Sequence, residues 1–324
     1  MADAIVLREP GGPEVLRLET VEVGAPGPGE VRLRQTAVGV NFHDCYVRSG
    51  SYQTLRLPGI PGLEAAGEVI EAGPDVEGFA VGDRVAYFTG AYGGYAAERV
   101  IAARHLVKLP PTVGDAVAAT LMVKGLTAQL LVRQAHAVQA GQTVLAHAAA
   151  GGVGTLLCQW AKHLGARVIG TVGSREKAAA ARAAGCDDVI LYRDEDFVER
   201  TRMLTEGRGV DVVYDAVGRD TFYGSLDCLA PRGRLVNYGQ ASGPVEPLAM
   251  QALSRGSFSV VRPMLFHYAA TRDELDAMAD DLFSLIENGV LDAPAPAELP
   301  LADAAEAHRR LEARETTGAL ILRP

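Results

Sequence analysis

Residues 142–165, QTVLAHAAAGGVGTLLCQWAKHLG, constrain this chain more than any other stretch. An apolar run at 144–148 meets a tight turn of small residues, Ala148-Ala149-Ala150-Gly151-Gly152-Val153-Gly154, and a helix-patterned segment follows at once. Val153, Leu157, Trp160 and Leu164 recur at helical spacing and define one apolar face. Residues 166–172 (ARVIGTV) read as the next buried strand, which completes a strand–turn–helix–strand unit of about 30 residues. In such a unit a parallel strand hands the chain to a helix whose N-terminus faces a pyrophosphate, and the glycines let the backbone approach the phosphates. The first glycine of the usual G-x-G-x-x-G pattern is Ala148 here. The expected ligand is a dinucleotide, and the expected chemistry is hydride transfer.

Readers of NAD place a carboxylate about 20 residues past the loop start, on the adenosine ribose. Here that place holds Thr171-Val172-Gly173-Ser174-Arg175-Glu176-Lys177, with a glycine where the acid would stand. A hydroxyl and two cations suit a 2′-phosphate. This charge logic favours NADP(H) over NAD(H), with Glu176 pointing away along the new helix. The competing reading makes Arg175 and Lys177 a solvated helix start.

Composition narrows the remaining classes. The 324 residues suffice for two domains, and 48% hydrophobic with 22% charged residues is ordinary globular usage. A net charge of −9 gives nucleic-acid binding no electrostatic support. No apolar run approaches the ~20 residues of a membrane span, and the first residues, MADAIVLREPGG, read as a strand rather than a signal peptide. Cys45, Cys158, Cys186 and Cys228 are scattered, with no C-x-x-C pair, as expected of free thiols in a reducing, cytoplasmic compartment.

Along the chain, residues 1–120 are β-rich. Short β-prone runs at 4–8, 31–40, 65–71 and 83–88 are separated by Gly/Pro turns, and the loop 90–94 (GAYGG) leads into 95–100. Residues 115–131 are Ala/Leu-rich and helical. After the glycine turn, strands at 189–192, 210–217, 234–238 and 257–261 alternate with helices at 176–184, 194–205 and 220–229, the pattern of a doubly wound parallel sheet. A long helix at 272–288, an extended segment at 294–300, a helix at 301–314 and a strand at 319–322 close the chain. A 60-residue tail is small for a domain of its own, so the tail is expected to return to the N-terminal domain.

This order resembles the quinone oxidoreductase family, the zeta-crystallin-like branch of the medium-chain dehydrogenase/reductase superfamily. The stretches that carry the resemblance are GVNFHD at 39–44 continuing to Arg48-Ser49-Gly50, PGIPGLEAAG at 58–67, VGDRV at 81–85, KGLTA at 124–128, the turn 148–154, VYDAVG at 213–218 and TTG at 316–318. The resemblance implies an α/β fold: a doubly wound parallel-sheet (Rossmann) nucleotide domain, 126–262, inserted in a β-rich GroES-like catalytic domain, 1–125 plus 263–324. It implies NADPH-dependent reduction of quinones or related unsaturated carbonyls, with the cofactor lying between the domains, and a homodimer formed through the nucleotide domain with 257–261 as the candidate edge strand.

Carried over by position, Asn41, Tyr46 and Tyr52 line the nicotinamide and substrate side. Thr127, Gly151, Gly152, Val153 and Gly154 touch ribose and pyrophosphate. Gly173, Ser174, Lys177 and Tyr192 surround the 2′-phosphate, and Tyr238, Gly239, Gln240, Arg262, Pro263, Met264 and Leu265 close over the nicotinamide. In the superfamily's alcohol dehydrogenases a Cys stands at the place of Asn41 and a His at the place of Leu63, so no metal is expected. His43, Asp44, Cys45 and Glu64 could be imagined as ligands, but residues 43–45 on an extended segment would splay alternately and make a poor set.

Without metal, the acceptor carbonyl is polarised by hydrogen bonds. Tyr52 and Asn41 are the candidates, and Tyr46 either assists or donates a proton. Each has a plainer reading: the tyrosines pack a loop and Asn41 caps a turn. Asp44 and Arg48 read as a structural ion pair on a short helix, Glu64 as structural, His147 as packing near the loop, and the other histidines, including His308, as mostly solvated. Two alternatives to quinone reduction stay open: an enal or enone reductase of the same fold, and a non-catalytic crystallin-like protein that binds NADPH or RNA.

Overall fold

Alternation of apolar and polar residues in VRLRQTAV buries Val31, Leu33 and Ala37 on one side of the Glu30–Gly39 strand. That strand is the centre of the first of two compact units. The computed structural model describes residues 1–313 and 319–324, so the TTG stretch at 316–318 and the end of the 301–314 helix lie outside the described residues. Unit one comprises Met1–Lys124, Ala269–Phe283 and Ala293–Pro324; unit two comprises Gly125–Tyr268 and Ser284–Asp292. Residues 125, 263–268 and 284–292, expected in the first domain, group with unit two. A side-chain amide accounts for the end of the last stretch: Gln159 both accepts from and donates to the backbone of Asp292.

In unit one, Glu30–Gly39 pairs antiparallel with Glu64–Ala72 and Glu98–Ala102. The sheet extends through Arg84–Phe88 to Leu106–Lys108, and on the other side through Leu320–Arg323 to Ala297–Pro300. Leu16–Val21 forms a ribbon with Ala2–Leu7. Leu301, Ala304, Ala307, Leu320 and Leu322 share one core with Ile5, Val31, Val69 and Val85, so the C-terminal residues complete the N-terminal core.

Residues 43–45 are not extended. Phe42–Arg48 is a helix that starts at Asn41, whose backbone N–H donates to Asp44 Oδ2 at 2.8 Å. A carboxylate at this position of the first turn captures an orphan amide, a reward local to the helix start. Asp44 and Arg48 do not pair. Arg48 makes a two-pronged bond to Glu312 (3.0 and 2.7 Å) and Asp44 faces the core. Nor is His308 solvated: it is fully buried, with Nε2 against Tyr95 OH at 2.9 Å and Nδ1 against Cys45 Sγ at 3.6 Å. Tyr95 OH in turn donates to Asp44 Oδ2 at 3.2 Å. This chain of polar contacts ties the Phe42–Arg48 helix to the Ala304–Glu312 helix.

Unit two carries six parallel strands in the order Asp188–Leu191, Arg167–Val172, Thr143–Ala146, Val210–Asp215, Leu229–Asn237, Ser259–Val261. The order reverses between Thr143–Ala146 and Val210–Asp215, and ligands of such sheets bind outside the strand ends at that switch point. The helical stretch Asp115–Ala135, 21 residues, is long and apolar enough to cross a membrane, which corrects the expectation of no such stretch. Most of it is buried inside the fold, where Ala118, Ala119, Leu121, Met122 and Leu126 have at most 1% exposure. Its last turn, Leu130–Ala135, widens into a π-helix, where the Leu131 carbonyl accepts both from His136 N at 3.2 Å and from Tyr214 OH at 3.0 Å.

Burial lowers His308 from 6.5 to about 3 and His43 to about 4, whereas it pushes Asp44 up to about 7. The unfolded chain takes up histidine protons below about pH 6.5 that the folded state refuses, so this stability is present above 6.5 and lost as pH falls. For His308 alone the loss by pH 4.5 is about 2–3 kcal/mol. Asp44 acts in the opposite sense, losing stability as pH rises toward 7. His308→Gln is therefore expected to shrink the difference in melting temperature between pH 7 and pH 4.5, whatever its effect at pH 7; an unchanged difference would remove His308 as its source.

Candidate active site

The candidate nucleotide site is built at the carboxyl ends of the parallel strands of unit two. Ala148, where the usual pattern has glycine, sits at φ 53°, a left-handed conformation that a β-carbon makes costly. Its carbonyl accepts from Gly151 N at 2.8 Å and closes the turn. A Cβ at Gly154 would overlap that same carbonyl oxygen, so only glycine lets the helix start this close to the strand. Thr155 N donates to Gly151 O at 2.9 Å, the first bond of the Gly152–His163 helix. The amides of Gly152, Val153 and Gly154 precede it and have no acceptor one turn back, which is the arrangement that holds a phosphate.

On the neighbouring strand, Gly173 follows Val172, and a Cβ there would lie 2.5 Å from Tyr192 OH. Ser174 caps the Arg175–Ala183 helix, its hydroxyl oxygen accepting from Lys177 N at 3.3 Å. Its own hydroxyl hydrogen remains available to donate. Thus Gly173, Ser174, Lys177 and Tyr192 are brought together at one strand end.

Across the switch point, buried Asp215 braces the next strand end by accepting from Val217 N (2.7 Å), Gly218 N (3.1 Å) and Thr221 Oγ1 (2.8 Å). His147 is clamped between Thr171 Oγ1 and Ser225 Oγ, both at 2.9 Å, and burial lowers its pKa. Tyr238, Gly239 and Gln240 follow the Leu229–Asn237 strand. Arg262 ties this end together through Asn237 O (3.2 Å), Asn237 Oδ1 (2.5 Å) and Gly239 O (2.9 Å), with Pro263, Met264 and Leu265 following it. Thr127 lies on the Asp115–Gln129 helix and is half-buried.

Unit one carries the remaining candidate residues. Tyr46 and Tyr52 face each other with ring centroids 5.1 Å apart, and Tyr52 is edge-on to His43 at 5.2 Å. His43 Nε2 meets Tyr92 OH at 3.0 Å, and Tyr92 OH also meets Thr54 Oγ1. Burial pushes the Tyr92 hydroxyl up and keeps it protonated. Asn41 is 6% exposed and occupies the helix cap, as its plainer reading has it, but its side chain is spent elsewhere. Asn41 Nδ2 donates to Glu64 Oε1 at 2.9 Å, and Asn41 Oδ1 accepts from Lys124 Nζ at 2.9 Å. Gly39 makes this possible, because a Cβ there would overlap the Glu64 side chain and the Ala119 carbonyl.

Sequence reasoning did not single out Lys124, Tyr92 or Asp215, and it considered His43 only as a metal ligand. Lys124 stood inside the quoted KGLTA stretch, yet its partners lie 83 and 60 residues away, and no local pattern links them.

A GroES-like β unit completed by the chain's tail, with a parallel nucleotide-binding unit between, defines the medium-chain dehydrogenase/reductase class. Residues 27–111 match the family described as alcohol dehydrogenase GroES-like domain, and residues 152–282 match that described as zinc-binding dehydrogenase. The chain is 50% identical to the quinone oxidoreductase of Pseudomonas aeruginosa, with 100% of each chain covered. It superposes on the crystal structure of Escherichia coli quinone oxidoreductase complexed with NADPH at a TM-score of 0.97 and 44% identity, again over 100% of each. A 2-haloacrylate reductase from a Burkholderia species is 46% identical over 100% of this chain and 99% of its own. The chain belongs to the quinone oxidoreductase family.

The zinc in the second description is not matched by the donor set. Asn41 and Leu63 offer neither thiolate nor imidazole, and among the described residues no three His, Cys, Asp or Glu side chains group to hold a metal.

Gly154→Ala is expected to raise the NADPH dissociation constant by at least about tenfold, because displacing the Ala148 carbonyl misaims the phosphate-facing amides. Fluorescence titration measures it; unchanged affinity would remove the loop from the binding site.

Proposed function

We propose that this chain is an NADPH:quinone oxidoreductase that reduces its acceptor by hydride transfer without a metal. The observation that carries this reading is the turn Ala148–Gly154 at the sheet's switch point, where three helix-start amides face outward at a strand end. The NADPH found in the Escherichia coli structure supports the choice of cofactor. So does the strand end at Gly173, which carries no acid where NAD readers place one and instead offers Ser174, Lys177 and Tyr192.

The amides of Gly152, Val153 and Gly154, with Gly151, take the diphosphate, and Thr127 takes the ribose. Ser174, Lys177 and Tyr192 receive the 2′-phosphate over the surface left open by Gly173. Tyr238, Gly239, Gln240, Arg262, Pro263, Met264 and Leu265 hold the nicotinamide end. NADPH, when bound, supplies the hydride. Asn41 donates a hydrogen bond to the acceptor oxygen, and Tyr46 and Tyr52 orient the same group. A quinone is already a strong electrophile, so holding it at about 3–3.5 Å from the donor carbon with modest polarisation suffices.

The working form is a cytoplasmic homodimer paired through the nucleotide unit. Among the described residues, Ser259–Val261 is a short strand at the sheet edge with one side unpaired, and four buried free thiols suit a reducing compartment. Sedimentation velocity is expected to give twice the chain mass; a monomer at micromolar concentration would remove the dimer.

The decisive assay follows NADPH and NADH oxidation with a small benzoquinone, beside an alkenal and a 2-haloacrylate. NADPH with the quinone is expected to be preferred. Lys177→Ala should raise KM for NADPH by about tenfold or more while leaving NADH little changed. Tyr52→Phe should lower kcat more than it raises KM. Faster turnover of the alkenal or haloacrylate would favour an enone reductase, the reading that the Burkholderia relative supports.

A further inference from the structure

Across the side chains of Asn41, Glu64 and Lys124, every donor but one has an acceptor. Lys124 Nζ carries three hydrogens, and three acceptors surround it: Asn41 Oδ1 at 2.9 Å, Glu64 Oε1 at 3.1 Å and Val40 O at 3.3 Å. Glu64 is fully buried; its Oε1 accepts from Asn41 Nδ2 and Lys124, and its Oε2 accepts from Val123 N at 2.6 Å. Asn41 Nδ2 has two hydrogens and Glu64 takes one. Among the described residues, the second Nδ2 hydrogen is the only donor of these three side chains without an assigned acceptor.

This pattern fixes the sense of the amide. An ammonium only donates and a carboxylate only accepts, so the Asn41 oxygen is bound to face Lys124 and its nitrogen to face Glu64. Turning the amide over would set Nδ2 against the ammonium and Oδ1 against the carboxylate, with two buried charges left facing the wrong poles. The ammonium also draws electron density from the amide oxygen, which strengthens the remaining N–H as a donor.

We propose that the buried Lys124–Glu64 pair is a positioning device for Asn41: it locks the side-chain amide so that a polarised N–H, never the carbonyl, is presented to the oxygen of the substrate. With all three of its hydrogens engaged, Lys124 acts through Asn41 and does not touch the acceptor. The inference rests on the reading that Asn41 meets the acceptor oxygen.

Lys124→Met alone strands a buried carboxylate, so the informative variant is Lys124→Met/Glu64→Gln, which removes both charges at nearly constant volume. Val123 N holds the oxygen of the amide that Glu64→Gln introduces, so its NH2 faces Asn41 and the acceptor-only group that held the Asn41 nitrogen is gone. With saturating NADPH and a small benzoquinone, this variant should lose at least about tenfold in kcat, with KM for NADPH within about twofold. In an Asn41→Ala background the same two substitutions should change kcat by less than about twofold, because nothing is left to orient. A kcat within about twofold of the parent, or an equal loss in both backgrounds, would overturn the positioning role. If Asn41→Ala alone left kcat unchanged, Asn41 would not meet the acceptor, and the functional reading of that residue would fall first. A strongly impaired Asn41→Ala with additive losses would sink the lock alone.

Discussion

One close approach underlies the nucleotide unit: Gly154 lies so near the carbonyl of Ala148 that no side chain fits between helix and strand. That contact brings the helix start to the strand end and aims three amides at the same point. The parallel order of the sheet, reversing beside this strand, leaves an opening at that place between the strand ends. Asp215 and Arg262 then fix the neighbouring ends, Asp215 through three accepted bonds and Arg262 through three donated ones. The strained Ala148 stands where glycine would be comfortable, and its conformation is held by the Gly151 amide bound to its carbonyl.

Unit one holds the side chains proposed to polarise the acceptor. Where zinc-dependent members of the superfamily set a cysteine and a histidine, this chain sets Asn41 and Leu63, and a charged pair stands behind the asparagine. A buried ion pair contributes little to stability by itself, since desolvation offsets its attraction. Its value lies in direction, because donor-only and acceptor-only groups on either side of an amide leave it a single orientation. The Phe42–Arg48 helix, which starts at that asparagine, is held by Asp44, Tyr95, His308 and Arg48 and carries Tyr46.

Much of this was legible in the sequence. The glycine turn, the alternation of strands and helices over 143–261 and the run of small N-terminal strands were all readable, because each depends on periodicity or on the backbone freedom of a few adjacent residues. The expected strands and helices recur within a few residues of their observed bounds, as with 31–40 against Glu30–Gly39 and 272–288 against Arg272–Glu287. Two short strands, Leu16–Val21 and Leu106–Lys108, escaped notice because each is ordered by its partner strand more than by its own pattern. The extended reading of 43–45 failed because a capping carboxylate at Asp44 decides for helix over a segment too short to show a period.

The sequence by itself determined the family, the glycine turn and the absence of an acid at the strand end at Gly173, since these are properties of contiguous residues. Only the tertiary structure decided which polar groups meet inside the first unit. Asn41 and Glu64 are 23 residues apart, Asn41 and Lys124 83, and Tyr95 and His308 213. Strand alternation says which face a side chain takes, but its partner across the sheet is set by register and by the helices packed above, and a one-residue slip would replace every one of them.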